Sequence, residues 1–183
     1  MNIRSSLMAG ALIAAASITS VGATDRETKS YGEKAPSAKE VESFLFPEAE
    51  CENSKYQCLA VRPSTTRSIG VDVKFHTGSA ELTPEARAQL DGLGKALAAR
   101  SGKLAPGEIV IEGHTDARGG DDLNKRLSER RADAVVKHVV SAHGVDGKAL
   151  KPVGRGKDQL RDASKPDSEI NRRVELVRTA SSN

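Results

Sequence analysis

The chain has no Trp, two Tyr and three Phe in 183 residues. So thin an aromatic supply leaves little with which to build the stacking platforms that nucleic acids and sugar rings use. Charge of one sign is also lacking: 28 Lys and Arg against 25 Asp and Glu leave a net charge of only +3. The two signs are interspersed, and no basic stripe runs along the chain to track a phosphate backbone, so nucleic acid is not expected as a partner. Neither Gly-x-x-x-x-Gly-Lys nor Gly-x-Ser-x-Gly occurs, which removes phosphate cradling and an elbow-mounted serine nucleophile. Long apolar runs are missing as well. The stretch Leu7–Ile18 is rich in Ala, Ser and Thr and falls short of the roughly 20 residues a spanning helix requires.

That stretch reads instead as the apolar centre of a secretory leader. Arg4 supplies the positive start and Val21-Gly22-Ala23 a small-residue cleavage site before Thr24. Residues 1–23 are therefore expected to be a signal peptide, with a retained signal anchor as the alternative, and the mature protein to be exported. No Cys follows the cleavage site, so lipid attachment is not expected. Export gives the two cysteines a meaning: Cys51 and Cys58, with six residues between them, are expected to pair as a disulfide. By loop entropy so short a ring contributes about 2–3 kcal/mol, mostly as local order.

Residues 24–67 form an N-terminal extension. Thr24–Lys39 is polar, contains Gly32 and Pro36, and reads as a flexible leader; Val41–Leu45 suits a short helical turn before Pro47. The extension is too short for even an eight-stranded membrane barrel, whose strands need about 9–11 residues each. Residues 68–183 then read as one domain. Ser68–Phe75 alternates, with Ile69, Val71, Val73 and Phe75 on one side, as a half-buried strand does. Thr83-Pro84-Glu85 is a helix start, Leu90, Leu93 and Leu97 its apolar stripe, and Ser101-Gly102 its end. Ile109–Ile111 is a second strand, and Lys151–Val153 and Arg173–Val177 are the last two. Between them lies a long helix ending at His143-Gly144. The order β-α-β-α-β-β implies an α/β sandwich of α+β type: a mixed sheet with helices packed on one face.

The long helix carries an anomaly. Over Leu123–Ala142, Leu123, Leu127, Ala134, Val135 and Val139 share an apolar arc, while Arg126, Glu129, Arg130, Asp133 and Lys137 lie opposite. Arg131 falls inside the apolar arc, aligned with Asn124 and Ser128. A guanidinium aimed at a core needs an anion, internal or brought by a ligand, because an unpaired buried charge costs several kcal/mol.

Gly113-His114-Thr115-Asp116, Gly119, Asn124, Leu127-Ser128, Arg131-Ala132, Val135 and the late Asn171-Arg172-Arg173-Val174-Glu175 resemble the OmpA-like peptidoglycan-binding domain. The resemblance runs from about Ser68 to Arg178. It implies noncovalent binding of the meso-diaminopimelate in the stem peptide, with Asp116 and Arg131 at the positions that clamp its free end. The chemistry suits the residues. A diaminopimelate head is a zwitterion; Arg forks its carboxylate and Asp accepts hydrogen bonds from its ammonium. Asn124 would add an amide contact. The alternative is an internal Asp116–Arg131 salt bridge fixing the loop to the helix.

His76–Glu81 resembles the family's Phe-x-x-x-Ser-Ala-x-Leu stretch, with His76 where many relatives have Asp or Asn. His76, followed by Thr77, either contacts the stem peptide or caps the loop; contact would make binding vary near pH 6–7. His114 with Asp121 and Asp122 suggests a metal site but lacks a third ligand, so a satisfied hydrogen bond is expected for it. No metal or cofactor is expected. Arg172 and Arg173 are adjacent in a strand, so at most one reaches the groove and the other is expected in solvent. An enzyme pairing Asp116 with His114 is the rival of a different class, without a nucleophile or metal-ligand set to sustain it. A third reading makes the chain a scaffold whose extension docks another outer-membrane or periplasmic protein.

Overall fold

The computed structural model describes residues 26–47, 66–73, 75–76 and 78–178. The expected leader, Cys51, Cys58 and Thr77 lie outside the described residues. Five strands, β1 (Arg26–Ser30), β2 (Thr66–Val71), β3 (Ile109–His114), β4 (Leu150–Gly156) and β5 (Val174–Arg178), form one sheet in the order β1-β2-β5-β3-β4. Three helices, α1 (Ala38–Leu45), α2 (Pro84–Ala98) and α3 (Asp121–His143), complete the described fold. β1 and β2 run parallel, as do β3 and β4, while β5 lies antiparallel between β2 and β3. The mixed sheet with helices against one face is thus present.

Register explains the layering. Val71 pairs with Val174 and Ile69 with Leu176, which in turn faces Ile111 across β3. These side chains are all essentially inaccessible, and with Leu90, Leu93 and Leu97 of α2 they form the core. Each such side chain contributes about 1.5–3 kcal/mol by leaving water. Thr83 caps α2 by accepting the Ala86 N–H at 3.1 Å, with Pro84 at the first helical position. α3 closes at Gly144 in the left-handed region, φ 68°.

The expected flexible leader is corrected: Arg26–Ser30 is a strand on the sheet edge, and its first residue is a clasp. Arg26 projects to the face opposite the helices and bonds both Glu175 of β5 and Glu112 of β3, the latter at 3.0 Å. Polar composition hid this strand because it lies at an edge with most of its length in solvent. The short helical turn at Val41–Leu45 is a full helix, started by a capping box in which Ser37 and Glu40 exchange hydrogen bonds. The strand expected over Ser68–Phe75 ends at Val71, and Phe75 keeps only a bridge to Leu82. Leu123, expected in the apolar arc, is 57% exposed and Leu127 half-buried. The inward stripe runs instead through Asn124, Ser128, Arg131, Ala132, Val135 and Val139. The cause is contact with glycine: a Cβ on Gly113 would lie 2.2 Å from the Ser128 carbonyl oxygen, and one on Gly154 would lie 2.7 Å from the Lys125 carbonyl oxygen. The backbone of α3 sits directly on the sheet there, which turns its first leucine outward.

Gly92 does the same for the extension, since a Cβ there would lie 1.8 Å from the Pro36 carbonyl oxygen. Intrinsic propensity alone favours Gly92→Ala by about 1 kcal/mol in a free helix. The close approach reverses that sign: the variant should lose about 1–3 kcal/mol in urea unfolding, as overpacked sites do. A gain in stability would mean that the 36–37 segment is not seated on α2.

Candidate functional site

The loop after β3 is shaped by backbone bonds. The Thr115 N–H donates to the Gly156 carbonyl at 2.9 Å and the Ala117 N–H to the Pro166 carbonyl at 3.0 Å. Asp116 is 8% exposed; its Oδ1 accepts the Arg118 N–H at 3.2 Å and its Oδ2 accepts from Arg172 Nη1 at 2.9 Å. The other arm of Arg172 bonds Glu169. Asn124 donates from Nδ2 to the Arg118 carbonyl at 2.8 Å, so its amide closes the same loop. Loop and helix are thereby joined through Asn124, and the acid's ionic partner is Arg172.

Arg131 stands apart from that pair. It is 6% exposed, donates from Nε to the Ser79 carbonyl at 3.1 Å, and lays its guanidinium 4.8 Å from the Phe75 ring centroid. Among the described residues no carboxylate lies within ion-pair distance of it. The internal Asp116–Arg131 bridge considered from sequence is therefore not formed. Burial, then the nearby charge of Arg172, lowers the Arg131 pKa to about 10, with Asp116 acting in the opposite direction. It remains a cation at neutral pH, oriented by a carbonyl and an aromatic face.

A cavity of about 420 Å³ opens beside it, lined by Glu33, Asp72, Val73, Phe75, Arg131, Glu169, Ile170 and Arg172. Of the residues singled out from sequence, Arg131 and Arg172 meet on this cavity and Asp116 lies behind Arg172. His76 is exposed, off the cavity wall, and its carbonyl accepts the Ser79 N–H at 3.0 Å. Sequence reasoning missed Glu33, Asp72, Glu169 and Ile170 in this role. Ile170 carried a signal, a large apolar residue in a polar loop next to Asn-Arg-Arg, and it is 39% exposed. The acids carried none, because they come from three separated segments that only folding unites.

Arg173 is corrected on both counts. It is neither on the cavity nor in solvent: Nε bonds Glu175 at 2.6 Å and Nη1 the Gln159 carbonyl at 3.2 Å, in a buried cluster under the sheet. There Arg26 and Arg155 hold Glu112, and Arg26 and Arg173 hold Glu175. His114 lies in the same cluster. The hydrogen bond expected for its ring is absent: among the described residues neither ring nitrogen has a partner, and the side chain is 1% exposed. Glu112, His114 and Glu175 do approach as three potential metal ligands, a grouping invisible in the sequence. Three guanidiniums already occupy the two carboxylates, so a further cation would enter a net positive surrounding.

A model of the OmpA family matches residues 74–173. The chain belongs to the OmpA family. Within it, outer membrane protein P5 of Haemophilus influenzae is 40% identical over 95 residues, covering 51% of this chain and 25% of that protein. The peptidoglycan-associated lipoprotein of Pseudomonas aeruginosa is 38% identical over 104 residues, covering 56% of this chain and 58% of the lipoprotein. The match thus spans about a quarter of the first relative and less than two thirds of the second. Among solved structures, a MotB-like protein of Desulfovibrio vulgaris superposes with TM-score 0.51 and 27% identity over 66% of this chain and 76% of that one. In this OmpA-family chain Arg131 and Asp116 both fall inside the matched span, whereas Glu33, Asp72 and Val73 precede it.

His114 gives this family member a pH dependence of stability. Burial, then Arg173, lowers its pKa from 6.5 to about 3, opposed by Glu112 and reinforced by Arg26 and Arg155. Below pH 6.5 the unfolded chain takes up a proton that the folded chain refuses, so this contribution is intact above pH 6.5 and is lost as pH falls toward 3. The limit for one such group is about 1.4 kcal/mol per pH unit. Urea unfolding between pH 7 and 4.5 should show a shallower decline for His114→Gln than for the parent chain; parallel declines would remove His114 as the cause.

Proposed function

We propose that this chain binds peptidoglycan noncovalently, gripping the free end of meso-diaminopimelate in the stem peptide. The observation that carries the reading is Arg131: a buried, oriented guanidinium on a cavity wall with no carboxylate within ion-pair distance among the described residues. Such a group awaits an anion, and a ligand carboxylate supplies it through a two-pronged contact. Arg172 borders the same cavity and bonds Asp116 at 2.9 Å. On binding, Arg172 turns to the ligand carboxylate and frees the Asp116 oxygen for the ammonium, so the resting ion pair is a closed form of the clamp. Asn124 acts by holding the loop that carries Asp116. Family membership and a relative named for its association with peptidoglycan support this assignment.

The reading is of a non-catalytic periplasmic protein, exported by a cleaved leader, that ties other envelope components to the wall. One clamp offers modest affinity, because ordering costs consume much of a small charged contact. A polymeric wall presents many heads, and repeated capture supplies the avidity.

Cosedimentation with purified peptidoglycan sacculi tests it. Asp116→Ala and Arg131→Ala should each weaken pelleting about tenfold or more, the cost of removing one partner of a charged, buried contact. Arg131→Lys keeps the charge but not the fork and should also weaken it. Equal pelleting of the folded variants and the parent chain would refute the clamp.

A further inference from the structure

The cavity is not charged throughout. Val73, Phe75 and Ile170 border it beside Arg131 and Arg172. Val73 is buried and Phe75 is packed against the core with its ring under the Arg131 guanidinium, so both also serve the frame. Ile170 is different. Among the described residues only Ile170 and Leu123 are large apolar side chains left exposed, and of the two only Ile170 borders the cavity.

Its neighbours hold it there. Ile170 sits in a tight helical turn, Glu169–Asn171, within the loop that joins β4 to β5. Asn171 is completely buried and ties that loop from inside. Its Oδ1 accepts the Asp162 N–H at 2.9 Å, and its Nδ2 donates to the Lys165 and Pro166 carbonyls at 3.0 and 3.1 Å. On the other side Glu169 bonds Arg172. The backbone is thus fixed on both sides of Ile170, which keeps an apolar surface at the cavity instead of folding it into the core.

A zwitterionic head has little use for such a surface, since its ammonium and carboxylate take polar partners. The carbon chain behind the head does. Diaminopimelate carries three methylenes between its two amino-acid carbons. At about 420 Å³ the space is in the range that takes a whole small ligand rather than one charged head. Short zwitterions such as free alanine present the same head without the chain, so charged contacts alone do not separate the two. An apolar wall does. Each methylene taken out of water raises affinity about fourfold when fully covered, and about twofold when covered on one side.

We propose that Ile170, backed by Val73 and Phe75, is a specificity residue that reads the aliphatic chain behind the head held at Arg131. The ligand class selected is an α-amino acid with an unbranched chain of several methylenes, and short zwitterions are discriminated against. The assignment rests on the clamp reading and deepens it with an uncharged residue of the β4–β5 loop.

NMR titration of the protein with D-alanine and D-norleucine tests it. The two probes share one head, in the configuration of the free end of diaminopimelate in the stem peptide, and differ by three methylenes. The parent chain should bind D-norleucine about eightfold more tightly. Ile170→Ala should cut that ratio to about twofold while leaving D-alanine affinity unchanged. Ile170→Leu, which restores the apolar surface, should keep the ratio near the parent value. Leu123→Ala, at an exposed apolar residue off the cavity, should also keep it. A ratio near one in the parent chain, or an unchanged ratio in Ile170→Ala, overturns the proposal. Arg131→Ala separates this proposal from the clamp. If D-alanine binds in an Arg131-dependent way without a chain-length preference, only Ile170 is misassigned. If an Ile170-dependent preference survives in Arg131→Ala, the apolar wall stands and the clamp falls; if neither probe binds, both fall.

Discussion

Everything about the site depends on how closely α3 approaches the sheet. Gly113 on β3 and Gly154 on β4 leave no side chain where the backbone at Lys125, Ser128 and Glu129 comes down. Ser128 Oγ then accepts the Gly156 N–H at 2.9 Å, a buried bond between helix and strand end. With that line of contact set, the rotation of α3 is determined. Arg131, one turn further on, points inward toward Phe75, and Asn124, one turn before, points at the β3–α3 loop. Bulk at either glycine would push the helix away and carry the arginine and the loop clasp with it.

The cavity is an electrostatic arrangement supported by an apolar frame. Arg131 is kept charged in a half-dry site by a carbonyl and a ring face rather than by a counter-ion. Asp116 is paired with Arg172 at 2.9 Å. The two members of the expected clamp are thus held by separate means, Arg131 on the cavity wall and Asp116 behind Arg172. On the opposite face of the sheet the logic differs: Arg26, Arg155 and Arg173 satisfy Glu112 and Glu175 completely. That cluster holds the edge strand to the centre of the sheet, and it accounts for Arg173 being buried. One arginine of the adjacent pair borders the cavity and the other serves the frame, both from the segment that leads into β5.

Much of the module was legible in local pattern. The Thr83-Pro84 start of α2, its leucine stripe, the Gly144 stop of α3 and the alternation of Ile69 and Val71 are short-range signals, and each element lies where its signal is. Arg131 was legible as an inward-facing charge for the same reason, since helical spacing depends only on sequence neighbours. The edge strand β1 was not, because a strand stabilised by one pairing and by the ion pairs of Arg26 with Glu112 and Glu175 needs no apolar alternation.

The sequence by itself determined most elements of the module, the inward position of Arg131 and the resemblance to a recognisable family, because those follow from periodicity and from motifs in a set order. Only the tertiary structure decided which charges meet. Asp116 pairs with Arg172 rather than Arg131, Arg173 lies under the sheet, and Glu33 reaches the cavity from a segment read as a loose leader. Ion pairing falls off over a few ångströms and is indifferent to separation along the chain. Partners 56 residues apart, as Asp116 and Arg172 are, therefore become neighbours only when the sheet brings their loops together.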